Sequence, residues 1–125
     1  MSGSIKFPDF NTALNGIVGE QLSSVTFVMD YWQLSFDGAV LTVLSAIAVR
    51  GQGWSVSDRD DQFRNRLCER IAHIVMATEF HAGDCIVLRF DDGGTVEVSL
   101  REHDYHGPEA INFWPRNNAP LLYAF

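Results

Sequence analysis

The sequence predicts an α+β domain: a mainly antiparallel sheet of two β-hairpins, one long helix packed on a face, and a short N-terminal helix. Three observations predict it. Trp32, Leu34 and Phe36 alternate with polar neighbours and run into Asp37-Gly38, after which a second apolar run begins. Ile86, Leu88 and Phe90 do the same, run into Asp91-Asp92-Gly93-Gly94, and are followed by Val96, Val98 and Leu100. An Asp-Gly turn between alternating strands is a strong local hairpin signal. Between the hairpins, Phe63, Leu67, Ile71 and Ile74 recur at helical spacing.

Taken in order, residues 1–8 read as a flexible terminus and residues 9–125 as one domain. Asp9 is placed to cap a short helix with Phe10, Leu14 and Ile17 on one face and Gly19 just beyond it. Residues 25–29 are β-branched and aromatic enough for a strand. A turn at Gly38-Ala39 sets Phe36 opposite Leu41 and Leu34 opposite Val43. Residues 39–49 are apolar on both faces, which predicts one central strand. Gly51-Gln52-Gly53 breaks it, and residues 54–56 return as a short strand.

Ser57 and Asp60 resemble a capping box for a helix over residues 58–75, with Asp60 and Arg64 paired at i,i+4. In the second hairpin a three-residue turn, Asp92-Gly93-Gly94, pairs Phe90 with Val96 and Leu88 with Val98. That leaves Cys85, Val87, Arg89, Thr95, Glu97 and Ser99 on a more polar face. The core list is Leu34, Phe36, Val43, Leu88, Phe90, Val96 and Val98. Residues 121–125 are apolar and either add an edge strand or cover a partner.

The formal charge of −7 is concentrated. Residues 82–109 carry seven acidic side chains against Arg89 and Arg101, a net −5. This field repels a phosphate backbone, so nucleic acid is not expected, and it favours a basic protein partner. Cys68 and Cys85 do not form a disulfide framework. No leader is evident and no apolar run spans a bilayer, so a cytoplasmic location without membrane contact is expected. The aromatic content and apolar C-terminal segment suggest a homodimer.

His103, His106 and Glu109 lie at intervals of three, with Asp104 between them, and form a candidate metal-ligand set. His81, Asp104 and Tyr105 are candidate ligand-binding residues. His81, Asp84 and Cys85 lie close in sequence, but an acidic setting raises a thiol's pKa and opposes nucleophilic catalysis. Asp37, Asp91 and Asp92 read as turn residues. No catalytic residue and no cofactor is implied.

The run Tyr31 to Gly38, then Leu88-Arg89-Phe90-Asp91-Asp92-Gly93, Val98-Ser99-Leu100 and Gly107-Pro108-Glu109-Ala110, resembles small uncharacterised bacterial domains with paired strand–Asp-Gly–strand hairpins and a Gly-Pro-Glu-Ala segment. The resemblance implies a bacterial origin and an α+β fold, and carries no catalytic residues. Two functions stay open. One is a non-enzymatic acidic interaction protein of toxin-neutralising or regulatory type. The other is a small-ligand binder or small enzyme with a pocket near the loop 103–109.

Overall fold

The computed structural model describes residues 7–115 and 123–124. In chain order these form α1 (Phe7–Asn15), β1 (Ser24–Val28), β2 (Tyr31–Phe36), β3 (Ala39–Val43), β4 (Ile47–Gly51), β5 (Trp54–Ser57) and α2 (Phe63–Cys68). There follow β6 (Val75–His81), β7 (Cys85–Phe90), β8 (Thr95–Ser99), a 3₁₀ turn at Glu102–Asp104, β9 (Ile111–Trp114) and β10 (Tyr123–Ala124). The strands make two five-stranded antiparallel sheets, ordered β1-β2-β3-β9-β10 and β5-β4-β8-β7-β6.

This overturns the expected α+β class: the fold is mostly β, its two hairpins lie in different sheets, and the described residues contain no long helix. The helix expected over residues 58–75 shrinks to the six residues of α2. Ser57 does bond Asp60, the backbone N–H donating to Oδ2 at 2.7 Å, but the contact closes a turn ahead of the helix. Asp60 is therefore turned to Ser57, and the cation of Arg64 lies over the Phe27 ring at 5.2 Å rather than in an ion pair. Phe63 and Leu67 are buried, whereas Ile71 and Ile74 are exposed.

The helix ends at Cys68, the chain runs on through tighter i→i−3 turns to Ile71, and Ala72 at φ +78, a left-handed conformation that no α-helix continues, keeps it from resuming. Its N–H donates to Leu22 O at 2.8 Å, which holds it there. The β-branched stretch after it then pairs as β6. Since Ala bears a Cβ penalty that Gly lacks, Ala72→Gly is expected to stabilise the protein by about 1 kcal/mol. Urea denaturation measures this; a loss of stability would show that Ala72 carries no strain.

The expected single strand over residues 39–49 is two strands in two sheets. The chain crosses between them at residues 44–46, where Ser45 is buried with its hydroxyl donating to Asp104 O at 3.1 Å. Both hairpin registers differ from expectation by two residues. Asp37 (φ 53) and Gly38 (φ 111) form the first turn, so Phe36 faces Ala39 and Leu34 faces Leu41. Two successive positive φ angles match a type I′ turn, whose twist suits the strands. In the second hairpin the loop is Asp91-Asp92-Gly93, closed by Gly93 at φ 87, and Leu88 faces Val96.

Slips of two preserve the faces. Leu34, Phe36, Val43, Leu88, Phe90, Val96 and Val98 are all buried as expected. Cys85, Val87 and Ser99, assigned to the polar face, are buried as well. So are Phe10, Leu14 and Ile17 of the N-terminal segment. The helix there starts at Phe7, so Asp9 lies inside it rather than capping it, and residues 7–8 are helical rather than loose. The rest of the expected flexible terminus lies outside the described residues. At the other end, Tyr123 is buried and β10 pairs β9, which makes it the edge strand of the first sheet.

The topology repeats itself. Residues 7–57 run helix, three-strand meander, hairpin: α1, β1-β2-β3, β4-β5. The described residues of 63–124 run in the same order: α2, β6-β7-β8, β9-β10. In each half the closing hairpin leaves its own meander for the other one. Thus β4 pairs β8 with Ile47 opposite Val98, and β9 pairs β3 with Ile111 opposite Val43. α1 packs on β6, and α2 on β4, β1 and β5, again half against half. One hydrophobic cluster joins both sheets and both helices.

Candidate functional site

Two connections of the second half, the β8–β9 crossover and the β6–β7 turn, are longer than their counterparts in the first. The first crossover, between β3 and β4, spans residues 44–46, while its counterpart between β8 and β9 spans residues 100–110. The β1–β2 turn has two residues, Met29 and Asp30, between paired positions, whereas the β6–β7 turn has three, Ala82, Gly83 and Asp84. Both enlargements border the same cleft of about 570 Å³, lined by Phe80, Gly83, Leu100, Arg101, Glu102, His103 and Tyr105.

Hydrogen bonds shape the long crossover. Ser45 forms an isolated bridge with Tyr105, and the Ala46 N–H donates to Asp104 O at 3.2 Å. Ser99 Oγ donates to Asp104 Oδ2 at 2.6 Å and holds that carboxyl below its usual range. The Tyr105 hydroxyl donates to Leu100 O at 3.2 Å, and burial pushes its pKa up. Farther along, the His106 ring meets Trp32 edge-on at 5.8 Å, and its Nδ1 lies 3.3 Å from Asp30 O. Trp32 in turn meets Phe63. The crossover is thereby tied to both halves.

Of the candidate ligand-binding residues, Tyr105 lines the cleft. Asp104 is engaged with Ser99 and with Arg101 Nε at 3.4 Å, a structural position. His81 lies at the end of β6 with Nε2 3.1 Å from Glu79 Oε1. The candidate metal set is not brought together. His103 borders the cleft with Nε2 3.6 Å from Asp104 Oδ1, and His106 is on Trp32. Glu109 Oε1 accepts from the Asn112 amide at 3.0 Å once that amide is oriented to donate. Cys85 is buried, and its thiol pKa is pushed up by burial and then by Glu97 and Asp84, the reverse of an activated thiol.

No protein-family model, curated protein or solved structure matches the chain. Its chemistry is therefore read from the geometry alone.

The charge pattern changes once the chain is folded. Arg101 pairs Asp84 and Asp104, Arg50 pairs Glu97, Arg89 pairs Glu79, and Arg70 pairs Asp92. Much of the acidity of residues 82–109 is thus balanced by arginines, two of them, Arg50 and Arg70, from outside that segment. At the cleft, Arg101 is committed to two carboxylates. Glu102 is exposed and makes no ion pair among the described residues, so the rim keeps a negative excess.

A second polar cluster escaped the sequence reading. His73 Nδ1 lies 2.7 Å from Asp91 Oδ1, and its Nε2 lies 3.6 Å from Asp92 Oδ2. This trio is the one group of potential metal ligands gathered within 4.8 Å among the described residues. Arg70 occupies it: the guanidinium grips Asp92 with both terminal nitrogens, Nη2 to Oδ2 at 2.7 Å. Asp92 Oδ1 also accepts the Gly94 N–H at 2.9 Å. With its charge met by a buried arginine, the cluster is an ion-pair latch between the β7–β8 turn and the segment after α2.

Proposed function

We propose that the protein is a non-enzymatic binding protein whose cleft receives a basic side chain of a partner protein. The observation that carries this reading is that the eleven-residue β8–β9 crossover and the β6–β7 turn wall one cleft. Each is longer than its counterpart in the first half, and together they wall a single concavity. Its volume lies within the range of binding pockets. Phe80, Leu100 and Tyr105 offer an apolar lining with aromatic rings, and Glu102 leaves the rim negative. A lysine or arginine side chain complements both features: an aliphatic stem against apolar walls and a cation near aromatic rings and a carboxylate. A toxin-neutralising or regulatory role suits such a protein. Cys85, buried and with its thiol kept protonated, supplies no nucleophile.

NMR titration with short arginine- and lysine-containing peptides tests the reading. Shifts are expected at Gly83 and over residues 100–105, weakening as salt rises. Tyr105→Ala is expected to lower affinity at least about tenfold, or 1.4 kcal/mol. Equal binding of acetyl-lysine peptides, or shifts confined to other surfaces, would sink it. The same cleft also suits a small amphipathic ligand. Thermal stabilisation by a metabolite, with no response to peptides, would select that second reading.

A further inference from the structure

We infer that the chain is two copies of one helix–meander–hairpin unit that exchange hairpins. The surface joining the halves is then an interface between copies, and residues 58–62 are only a tether. Three independent features point there. First, the sheet orders are equivalent: meander, then the other half's hairpin, with the hairpin always added to the third meander strand. Second, the residues at the exchange correspond. Val43 and Val98 hold matching places in β3 and β8, and each faces the first residue of an incoming hairpin, Ile111 and Ile47.

Third, the segments leading into β1 and β6 meet antiparallel at Gln21 and Ile74. Gln21 lies seven residues before the end of β1, and Ile74 lies seven before the end of β6. An antiparallel contact between equivalent positions is what two copies make across a twofold axis. The sequences agree where turn chemistry alone does not require it: Leu34 and Phe36 match Leu88 and Phe90, and all four are buried.

The partner that fits the open third strand of such a unit is another copy of the unit. Here the chain supplies it internally, and the tether raises its effective concentration. Neither half closes its own sheet, because the strand that β3 needs is β9 and the strand that β8 needs is β4.

The test uses the full chain with a protease site inserted between Asp61 and Gln62. After folding and cleavage, the two pieces are expected to co-elute at the mass of the intact chain and keep its circular dichroism. The Tm of the cut protein should rise with protein concentration, while that of the intact chain should not, because unfolding has become bimolecular. A second arm tests the exchange itself. In a Cys68→Ser background, Ala48→Cys with Glu97→Cys places thiols at directly facing positions of β4 and β8. Oxidation should then join the two cut pieces into one band on a non-reducing gel. Pieces that separate at micromolar concentration would overturn the tether, and failure to cross-link would overturn the exchanged pairing.

Discussion

Asp92→Ala is expected to lower stability by about 2–3 kcal/mol in urea denaturation. Arg70 is only 5% exposed, and its guanidinium depends on the Asp92 carboxylate. Its Nε is buried without a hydrogen-bond partner, and besides Asp92 the guanidinium has only the weaker contact of the Phe90 ring at 5.6 Å among the described residues. Breaking a buried pair by removing one member costs roughly 3–5 kcal/mol, because the survivor is left uncompensated. The lower figure is expected here because Asp92 itself stays partly wet. Arg70→Met should cost less than Asp92→Ala, since it leaves no buried cation. A change under about 0.5 kcal/mol for Asp92→Ala would show that the latch carries no stability.

The latch also sets a pH response. Asp92 is held below the usual carboxylate range first by Arg70, and Asp91 first by His73. A depressed carboxyl contributes stability that is present above its unfolded pKa and lost as pH falls through its folded one. Stability is therefore expected to fall as pH drops below about 4. The gap between wild type and Asp92→Ala should narrow over the same descent, because protonation removes the charge that the variant already lacks.

Phe10→Ala is the other large effect, with an expected loss of about 4 kcal/mol from the cavity left in the core. Phe10 is fully buried and meets three rings: Phe80 at 4.9 Å, Tyr123 at 5.6 Å and Phe113 at 5.9 Å. These belong to β6, β10 and β9, so one side chain of α1 bears on both sheets. Phe80 also lines the cleft. Phe10→Leu, which fills more of the space, should restore much of the stability. If the cleft depends on a fixed Phe80, peptide affinity should fall in Phe10→Ala even at temperatures where the variant is fully folded. Unchanged affinity would detach the cleft from this part of the core.

Which residues go inside was legible in the sequence, because alternation survives a register slip of two. Leu34 and Phe36 point inward whether they face Leu41 or Ala39. The stop of α2 was not legible. Phe63, Leu67, Ile71 and Ile74 satisfy a helical period, yet Val75 and Met76 also begin a strand with one side in and one out. Local pattern does not choose between them; the pairing of β6 with β7 and the Leu22 carbonyl waiting for Ala72 do. Residues 39–49 misled for a related reason. Nothing local breaks that run, and Ser45 becomes a crossing point only because Asp104 comes to meet it.

The site was half visible. His103 and Tyr105 stand out in the sequence as part of a polar loop, but Phe80 and Gly83 come from β6 and the turn after it. The His73–Asp91 and Arg70–Asp92 contacts also lie too far apart in sequence for spacing to reveal them.

The traded hairpins set an order on events at the ribosome. When the first half has been made, β3 has β2 and β4 has β5, but each still lacks its second neighbour, β9 and β8 respectively. A nascent chain therefore carries two strands with open hydrogen-bonding edges from the completion of β4 until β8 is made, and the first half cannot finish folding before the second emerges. Such edges are sites of mispairing, and distant contacts slow the search for the native state. Maturation of this fold is thus tied to β8 and β9, and its period of greatest vulnerability is the time a ribosome takes to reach them.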